Sequence, residues 1–224
     1  MKTRITRTIP LAILAGLLLP GGHLHAQLVI TSGNTLAEYN TNGTPVGSGT
    51  LVNGAGLNFP WSVTVSGPDL FVVNQKANTI SEYNTSGGVL ASALVSGNGL
   101  SGANAMAISG TDLFVVNYTS NTISEYNTSG GVLASALVPT GHGLNGPEGI
   151  VISGTDIFVA NYSNQTLMEY DTSGNTLANP LASGGALSSG PIGIVAIPEP
   201  STWAMMGIGA GLLIFRRQRR LRRE

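Results

Sequence analysis

Short runs of alternating apolar and polar residues recur along the middle of the chain, and one of them returns at a fixed distance. This nine-residue motif reads TLAEYNTNG at its first occurrence, TISEYNTSG at the next two and TLMEYDTSG at the last. Its glutamates are 44, 43 and 44 residues apart, at Glu38, Glu82, Glu125 and Glu169. Alternation with a period of two predicts β-strands, and a fixed period of about 20–50 residues indicates a repeat architecture.

Each repeat contains further β-type runs besides this motif. A stretch such as GTDLFVVN precedes it, a stretch such as NAMAISG comes before that, and GGVLASALV follows it. Four short strands in a period of about 40–45 residues correspond to one blade of a β-propeller. We therefore predict an all-β propeller body at 27–197. Its four-stranded blades number about four and lie near 27–57, 58–100, 101–144 and 145–188.

The two ends of this body complement each other in sequence. The first unit starts directly at its second strand, QLVITSG, whereas the body ends with GPIGIVAIP, which matches the inner-strand sequence GPEGIVISG of the last unit. We predict that 189–197, with a strand at Ile192–Ile197, supplies the missing inner strand of the first blade and closes the ring. The alternative is a half-propeller that pairs with a second copy into eight blades.

The last complete unit, GPEGIVISGTDIFVANYSNQTLMEYDTSG, resembles the NHL repeat. The resemblance rests on Pro147, Gly149, Asp156, Asn161, Tyr170, Asp171 and Gly174. The chain departs from that family by lacking the common third-strand arginine and by replacing its usual aspartate at Asn74, Asn117 and Asn161. The resemblance covers 28–197 and implies a propeller of NHL-like blades.

Most repeated side chains have structural explanations. Repeated aromatic residues should pack between blades, namely Tyr83, Tyr126, Tyr170, Phe71, Phe114 and Phe158. Since side chains alternate along a strand, we expect the glutamates beside these tyrosines to face solvent, at Glu82, Glu125 and Glu169. Aspartates that follow a glycine in hairpin turns should accept hydrogen bonds from backbone amides, at Asp69, Asp112 and Asp156.

The N-terminal segment 1–26 has the order of a secretory signal peptide. Lys2 and two arginines precede an apolar run from Ile9 to Leu19, and Ala26 is a small residue suited to a cleavage site. The alternative is an N-terminal membrane anchor, but the apolar run is short for a membrane span.

The C-terminal segment 198–224 has a different order. Pro198, Glu199 and Pro200 are followed by an apolar run, Trp203 to Phe215, predicted to form a short transmembrane helix. A helix of that length is about 20 Å long against a hydrocarbon core of about 30 Å, and snorkelling arginines with an interfacial tryptophan can extend its span. By the positive-inside rule the arginines that follow should be cytoplasmic, at Arg216, Arg217, Arg219, Arg220, Arg222 and Arg223.

This segment, PEPSTWAMMGIGAGLLIFRRQRR, resembles the PEP-CTERM sorting signal of Gram-negative bacteria in its order, spacing and terminal position. The resemblance implies recognition by an exosortase, with cleavage near Pro198-Glu199-Pro200. It also implies transient residence in the inner membrane before delivery to the cell surface or the exopolysaccharide matrix. The alternative is a plain C-terminal membrane anchor, which does not need Pro-Glu-Pro.

Charge and composition narrow the functions of the body. Between residues 27 and 197 the only basic side chain is Lys76, against nine acidic ones, so nucleic acid is an unsuitable partner. The chain has no cysteine, which excludes disulfides and thiolate metal sites.

No constellation of catalytic residues is evident in the sequence, and we expect no cofactor, no metal site and no catalytic residue. Propellers usually bind ligands where the loops before the inner strands converge. Those loops contribute Trp61, Asn104 and Glu148 as possible contacts at the channel mouth, whereas His142 is expected at the surface. We therefore expect a non-enzymatic propeller that binds polysaccharide or protein. The alternative is a degenerate metal-dependent lactonase or lyase that uses Glu148 and Asn104.

Overall fold

The computed structural model describes residues 27–197. The predicted signal peptide, the Pro-Glu-Pro motif, the apolar run from Trp203 to Phe215 and the arginine cluster all lie outside the described residues. Between 27 and 197 there is no helix long and apolar enough to cross a bilayer.

The described residues form fifteen strands in four antiparallel sheets and one turn of 3-10 helix, Gly185–Leu187. The first sheet has three strands: β1 (Gln27–Ser32), β2 (Thr35–Asn40) and β3 (Pro45–Asn53). The second contains β4 (Pro60–Ser66), β5 (Asp69–Asn74), β6 (Thr79–Asn84) and β7 (Val89–Ser96). The third contains β8 (Ala103–Ser109), β9 (Asp112–Asn117), β10 (Thr122–Asn127) and β11 (Val132–Val138). The fourth contains β12 (Pro147–Ser153), β13 (Asp156–Asn161), β14 (Thr166–Asp171) and β15 (Thr176–Ser183). This confirms the predicted all-β class with one sheet per repeat.

Every complete sheet is a meander with the same register. Two-residue turns that begin with a left-handed glycine join the first two strands of each, at Gly67, Gly110 and Gly154. The next hairpin pairs Asp69 with Asn84 in the second sheet, and the corresponding residues pair in the third and fourth. The inner strands β4, β8 and β12 lie next to one another, so the sheets follow each other like blades.

Apolar side chains of neighbouring sheets form the core. One cluster joins Phe71 and Val73 of the second sheet to Met106 and Leu113 of the third, and an equivalent cluster joins the third to the fourth. The predicted packing of the tyrosines is confirmed, since Tyr83, Tyr126 and Tyr170 are fully buried. Their hydroxyls donate to the carbonyls of Ala55, Asn98 and His142 at 2.9, 2.9 and 2.8 Å. Burial raises the pKa of these hydroxyls, so they donate as neutral groups.

The turn aspartates and repeated glutamates differ from expectation. Asp112 and Asp156 accept hydrogen bonds from the hydroxyls of Thr111 and Thr155. Hydrogen bonds from two backbone amides are instead accepted in the next turn of each unit, by Asn84, Asn127 and Asp171. The glutamates are half-buried, not solvent-facing, and Glu38 is buried. Burial, with Asp69 or Asp112 nearby, raises the pKa of Glu82 and Glu125. Each glutamate and the aspartate near it lie on adjacent strands and on the same face of the sheet, which explains why their carboxylates repel each other.

The predicted closure of the ring is not formed. Residues 191–197 contain no strand, and no ladder pairs them with β1 in the part of the chain that the structure describes. The first sheet keeps three strands, and the four sheets form an open series. An extended segment without a neighbouring strand leaves its backbone groups unpaired, so 191–197 has no basis for becoming a strand.

Candidate binding platform at Phe59 and Trp61

A buried asparagine sets the position of each inner strand. At the end of β9, Asn117 accepts from the amide of Ser101 at 3.1 Å and donates to the hydroxyls of Thr122 and Ser124 at 3.2 and 2.9 Å. Asn74 and Asn161 hold the loops before β4 and β12 in the same way, accepting from the amides of Asn58 and Asn145 at 3.1 Å. These fully buried amides fix the chain just before the inner strand begins.

The second unit places an aromatic residue where its neighbours have glycine. Phe59 immediately precedes β4 and has φ 56, and the corresponding residues Gly102 and Gly146 have φ 61 and 60. A left-handed conformation suits glycine and costs a bulky residue about 1–3 kcal/mol. Two hydrogen bonds hold the backbone of Phe59. The Phe59 N–H donates to Oδ1 of Asn34 at 3.0 Å, and the backbone N–H of Gln75 donates to the Phe59 carbonyl at 3.1 Å.

Phe59 and Trp61 form an exposed aromatic surface. Their rings stack with centroids 5.6 Å apart and an interplanar angle of 27°, and they are 42% and 46% exposed. The ammonium of Lys76, from the turn between β5 and β6, lies 5.6 Å from the centroid of the Phe59 ring, within cation–π distance. We call these three side chains the aromatic platform.

A concavity of about 340 Å³ adjoins the platform. Phe59, Pro60 and Trp61 line one side, and Thr31 and Gly33 of the first sheet line the other. The site therefore spans two units and offers aromatic faces beside hydroxyl and backbone groups. This lining suits a ligand that has an apolar face to stack on a ring and polar groups at its edge.

The other predicted contacts have different surroundings. Asn104 is 2% exposed, and its Oδ1 accepts a hydrogen bond from Nε2 of Gln75, so it joins the second unit to the third. Glu148 is half-buried and burial raises its pKa. His142 is exposed, and its backbone carbonyl is the acceptor for Tyr170. Trp61 alone of the three predicted contacts joins the platform.

Among residues 27–197, no group of three or more histidine, cysteine, aspartate or glutamate side chains lies close enough together to hold a metal ion.

The sequence carries a signal for Phe59 in the comparison of its repeated units. Aligning the loops before the inner strands, NFPWSV, SGANAM and NGPEGI, places Phe59 opposite two glycines. Lys76 could be singled out only as the one basic residue of the body, and its position against Phe59 depends on the packing of two separate loops.

Comparison with known proteins gives one family match and several structural likenesses. The PEP-CTERM protein-sorting motif matches residues 196–220. None of the curated proteins matches the chain. The computationally designed Ika8 protein superposes with a TM-score of 0.51 at 14% identity, covering 76% of this chain and 52% of that one. The computationally designed Ika4 protein gives 0.47 at 12% identity, over 66% of this chain and 86% of that one. A streptogramin B lyase structure gives 0.45 at 19% identity, over 56% and 42%.

These likenesses differ in what they establish. The chain spans about half the length of Ika8, and at such low identity the superposition shows a shared repeat fold and nothing about activity. The sorting-motif match begins at Ala196, next to the last described residue. The chain therefore carries a PEP-CTERM protein-sorting motif directly after a propeller-like body of four sheets.

Proposed function

We propose that this chain is an exported surface or matrix protein whose body binds a neutral polysaccharide, without catalysis, on the aromatic platform. The sorting motif supports the location, since it implies export, membrane anchoring and processing by an exosortase. The observation that carries the binding role is the aromatic pair at Phe59 and Trp61, stacked and exposed on a strained backbone.

Strain at Phe59 supports a functional role. The aligned positions use glycine, so the fold does not need a phenylalanine there, and the left-handed conformation makes it costly. Packing offsets only part of this cost, because Phe59 is 42% exposed. Residues that oppose a local rule without a structural benefit tend to mark functional sites.

The chemistry of the platform favours a sugar. Flat aromatic faces stack on the apolar faces of pyranose rings, while Thr31 and Lys76 can supply hydrogen bonds at the edge. The body has one basic residue against nine acidic ones, a formal charge of −8 (1 − 9) for residues 27–197, which repels polyanions. A neutral polysaccharide is therefore the better match.

Affinity gel electrophoresis tests the binding role. Mobility of the purified protein should fall in gels containing hydroxyethyl cellulose or dextran and remain unchanged in gels containing alginate, a polyanion. Trp61→Ala should weaken retardation about tenfold, equivalent to about 1.4 kcal/mol of lost stacking. Phe59→Gly should also weaken it while leaving thermal stability equal or higher, because the backbone strain is relieved.

The matched control is Tyr162→Ala, which removes an aromatic side chain that is 43% exposed elsewhere on the body. It should bind like the parent protein. Equal losses in Tyr162→Ala and Trp61→Ala would contradict a role for the platform, and so would retardation by alginate alone.

Processing is tested separately by cell fractionation. In a host with an exosortase, the protein should reach the surface fraction without its C-terminal tail. In the same host lacking the exosortase, or with Glu199→Ala, it should stay in the membrane fraction at full length. A surface-delivered protein that keeps its tail would refute exosortase processing.

The absence of catalysis has its own test. A metal-dependent lactonase or lyase using Glu148 and Asn104 would take up a divalent cation. Titration of Ca²⁺ or Mn²⁺ into the protein should give no binding heat. Stoichiometric uptake that is lost in Glu148→Gln would favour the enzymatic alternative.

A further inference from the structure

Neighbouring units meet through one repeated interface, seen three times in the series. A tyrosine hydroxyl of the following unit donates to a carbonyl of the loop before it, at Tyr83, Tyr126 and Tyr170. A turn glycine of the following unit lies against a leucine carbonyl of the preceding unit, pairing Gly87 with Leu51, Gly130 with Leu94 and Gly174 with Leu137. A side chain at any of these glycines would collide with that carbonyl.

The first unit presents the same interface without a neighbour. We call Leu28, Ile30, Tyr39 and Gly43 the leading face. Leu28 and Ile30 are 49% and 47% exposed, whereas the equivalent residues of the later units are at most 3% exposed, namely Leu70, Val72, Leu113, Val115, Ile157 and Val159. Tyr39 is half-buried where its counterparts are fully buried, and a Cβ at Gly43 would meet no atom within 4 Å.

The fourth unit presents the complementary half. We call Phe158, Leu181 and the segment 190–197 the trailing face. Phe158 is half-buried where Phe71 and Phe114 are 2% exposed, and Leu181 is 44% exposed. The segment lies where a following inner strand begins, since a Cβ at Gly149 would lie 3.3 Å from the backbone of Gly193.

The same segment carries an inner-strand sequence with nothing to pair with. Its GPIGIVAI matches GPEGIVIS of β12, yet Ile192, Val195 and Ile197 are 68%, 77% and 85% exposed. The first sheet lacks an inner strand, and a cavity of about 310 Å³ lies beside β1 at that place, lined in part by Val29, Val63 and Val65.

We infer that the trailing face of one copy binds the leading face of a second copy, so that two copies close one ring of eight blades. The β12–β13 register, which pairs Ile150 with Val159 and Val151 with Phe158, sets the expected pairing. By this register Ile194 pairs with Ile30 and Val195 with Val29 across the two copies. The side chain of Val195 then enters the cavity beside β1.

The partner is a second copy because the two faces of one chain stay apart. The leading face remains exposed while the segment 190–197 rests on Gly149 of its own chain. A head-to-tail contact that closes after two copies leaves neither of these faces unmatched, whereas a single arc leaves both exposed.

Cysteine cross-linking tests this pairing, and the parent chain has no cysteine to interfere. Two full-length copies with tags of different size, one Val29→Cys and the other Val195→Cys, are mixed in mild detergent and oxidised. Random pairing makes half of the two-copy rings heterodimers, so about half of the protein should form a disulfide-linked heterodimer. The matched control pairs Val195→Cys with Leu133→Cys, which is 52% exposed on an outer strand of an interior unit, and should give less than a tenth of that product.

The double variant Val29→Cys/Val195→Cys separates the alternatives. Two copies joined by two disulfides are expected. A monomer with an internal disulfide would show that the chain closes on itself, and a ladder of larger species would show an open filament. Either result overturns the two-copy ring, as does equal cross-linking in the Leu133→Cys control.

The number of copies in the assembly can also be measured without cross-linking. In light scattering, Ile30→Asp should reduce the mass to that of one copy, while Leu133→Asp should leave it at two. Both sites are exposed in the single arc, so both variants should keep the parent circular dichroism spectrum. A mass of one copy for the parent protein would overturn the inference.

Discussion

Asn117→Asp is a nearly isosteric change that removes one donor and introduces one ionisable group. Asn117 is fully buried, its Oδ1 accepts from the Ser101 amide, and its Nδ2 donates to Thr122 and Ser124. The substituted carboxyl keeps the acceptor. It must either stay charged among hydroxyls in the core or take up a proton to donate a single hydrogen bond.

The size of the effect follows from this geometry. The protonated carboxyl donates one hydrogen bond where the amide donates two, and this loss costs about 1 kcal/mol. Burial without a cationic partner should raise the pKa of the introduced carboxyl by about 2–3 units above its unfolded value of about 3.9, which adds about 3–4 kcal/mol at pH 7. A raised folded pKa means that the neutral form is favoured in the native state. The added cost is therefore absent below pH ~4 and grows as the pH rises through the window up to the folded pKa.

Urea unfolding between pH 3.5 and 8 measures this dependence. With an m-value of about 2 kcal/mol/M, the midpoint of Asn117→Asp should lie about 2 M below that of the parent protein at pH 7 and about 0.5 M below it at pH 3.5. The control is Asn127→Asp. Asn127 is half-buried and accepts from the amides of Ser129 and Gly131, as Asp171 does from those of Ser173 and Asn175, so a carboxylate suits that position. A loss for Asn117→Asp that is independent of pH, or equal to that of Asn127→Asp, would refute the reasoning.

Two further outcomes test the packing between units and the half-buried glutamates. Gly99→Ala should destabilise the protein by about 3 kcal/mol or more, because the φ of Gly99 is 100° and a Cβ there would collide with the carbonyl of Ser135. The control Gly97→Ala should cost about 1 kcal/mol, since Gly97 has φ 63° and a Cβ there would meet no atom within 4 Å. Comparable thermal midpoints for the two variants would contradict the collision. Glu125→Gln should raise the urea midpoint at pH 7 but not at pH 3.5. Burial and Asp112 raise the pKa of Glu125, so its charged form destabilises the native state only above its unfolded pKa. A gain of the same size at both pH values would contradict this.

The repeats in the sequence are enough to predict the strands of each unit and the packing of its tyrosines. The strand pattern around Phe114 and Tyr126 depends on local alternation and on glycine turns, which are properties of adjacent residues. The burial of the tyrosines followed from their recurrence at one position of each unit.

The predictions that were wrong concern groups that are distant in sequence and meet only in the folded protein. Asp69 and Glu82 lie on different strands, and only the register of the second sheet brings their charges together, with Phe71 opposite Glu82. The closing strand failed for the same reason, since the sequence of 191–197 resembles an inner strand but the tertiary arrangement does not bring it to the free edge of β1.

The sequence alone determined the four units, their strands, the excess of acidic residues and the sorting motif, because each is written in neighbouring residues or in their period. The tertiary structure decided that Phe59 adopts a left-handed backbone and stacks on Trp61 under Lys76, and that the arc ends in two unmatched faces. These features arise where loops and units distant in sequence pack together, so no local pattern of residues encodes them.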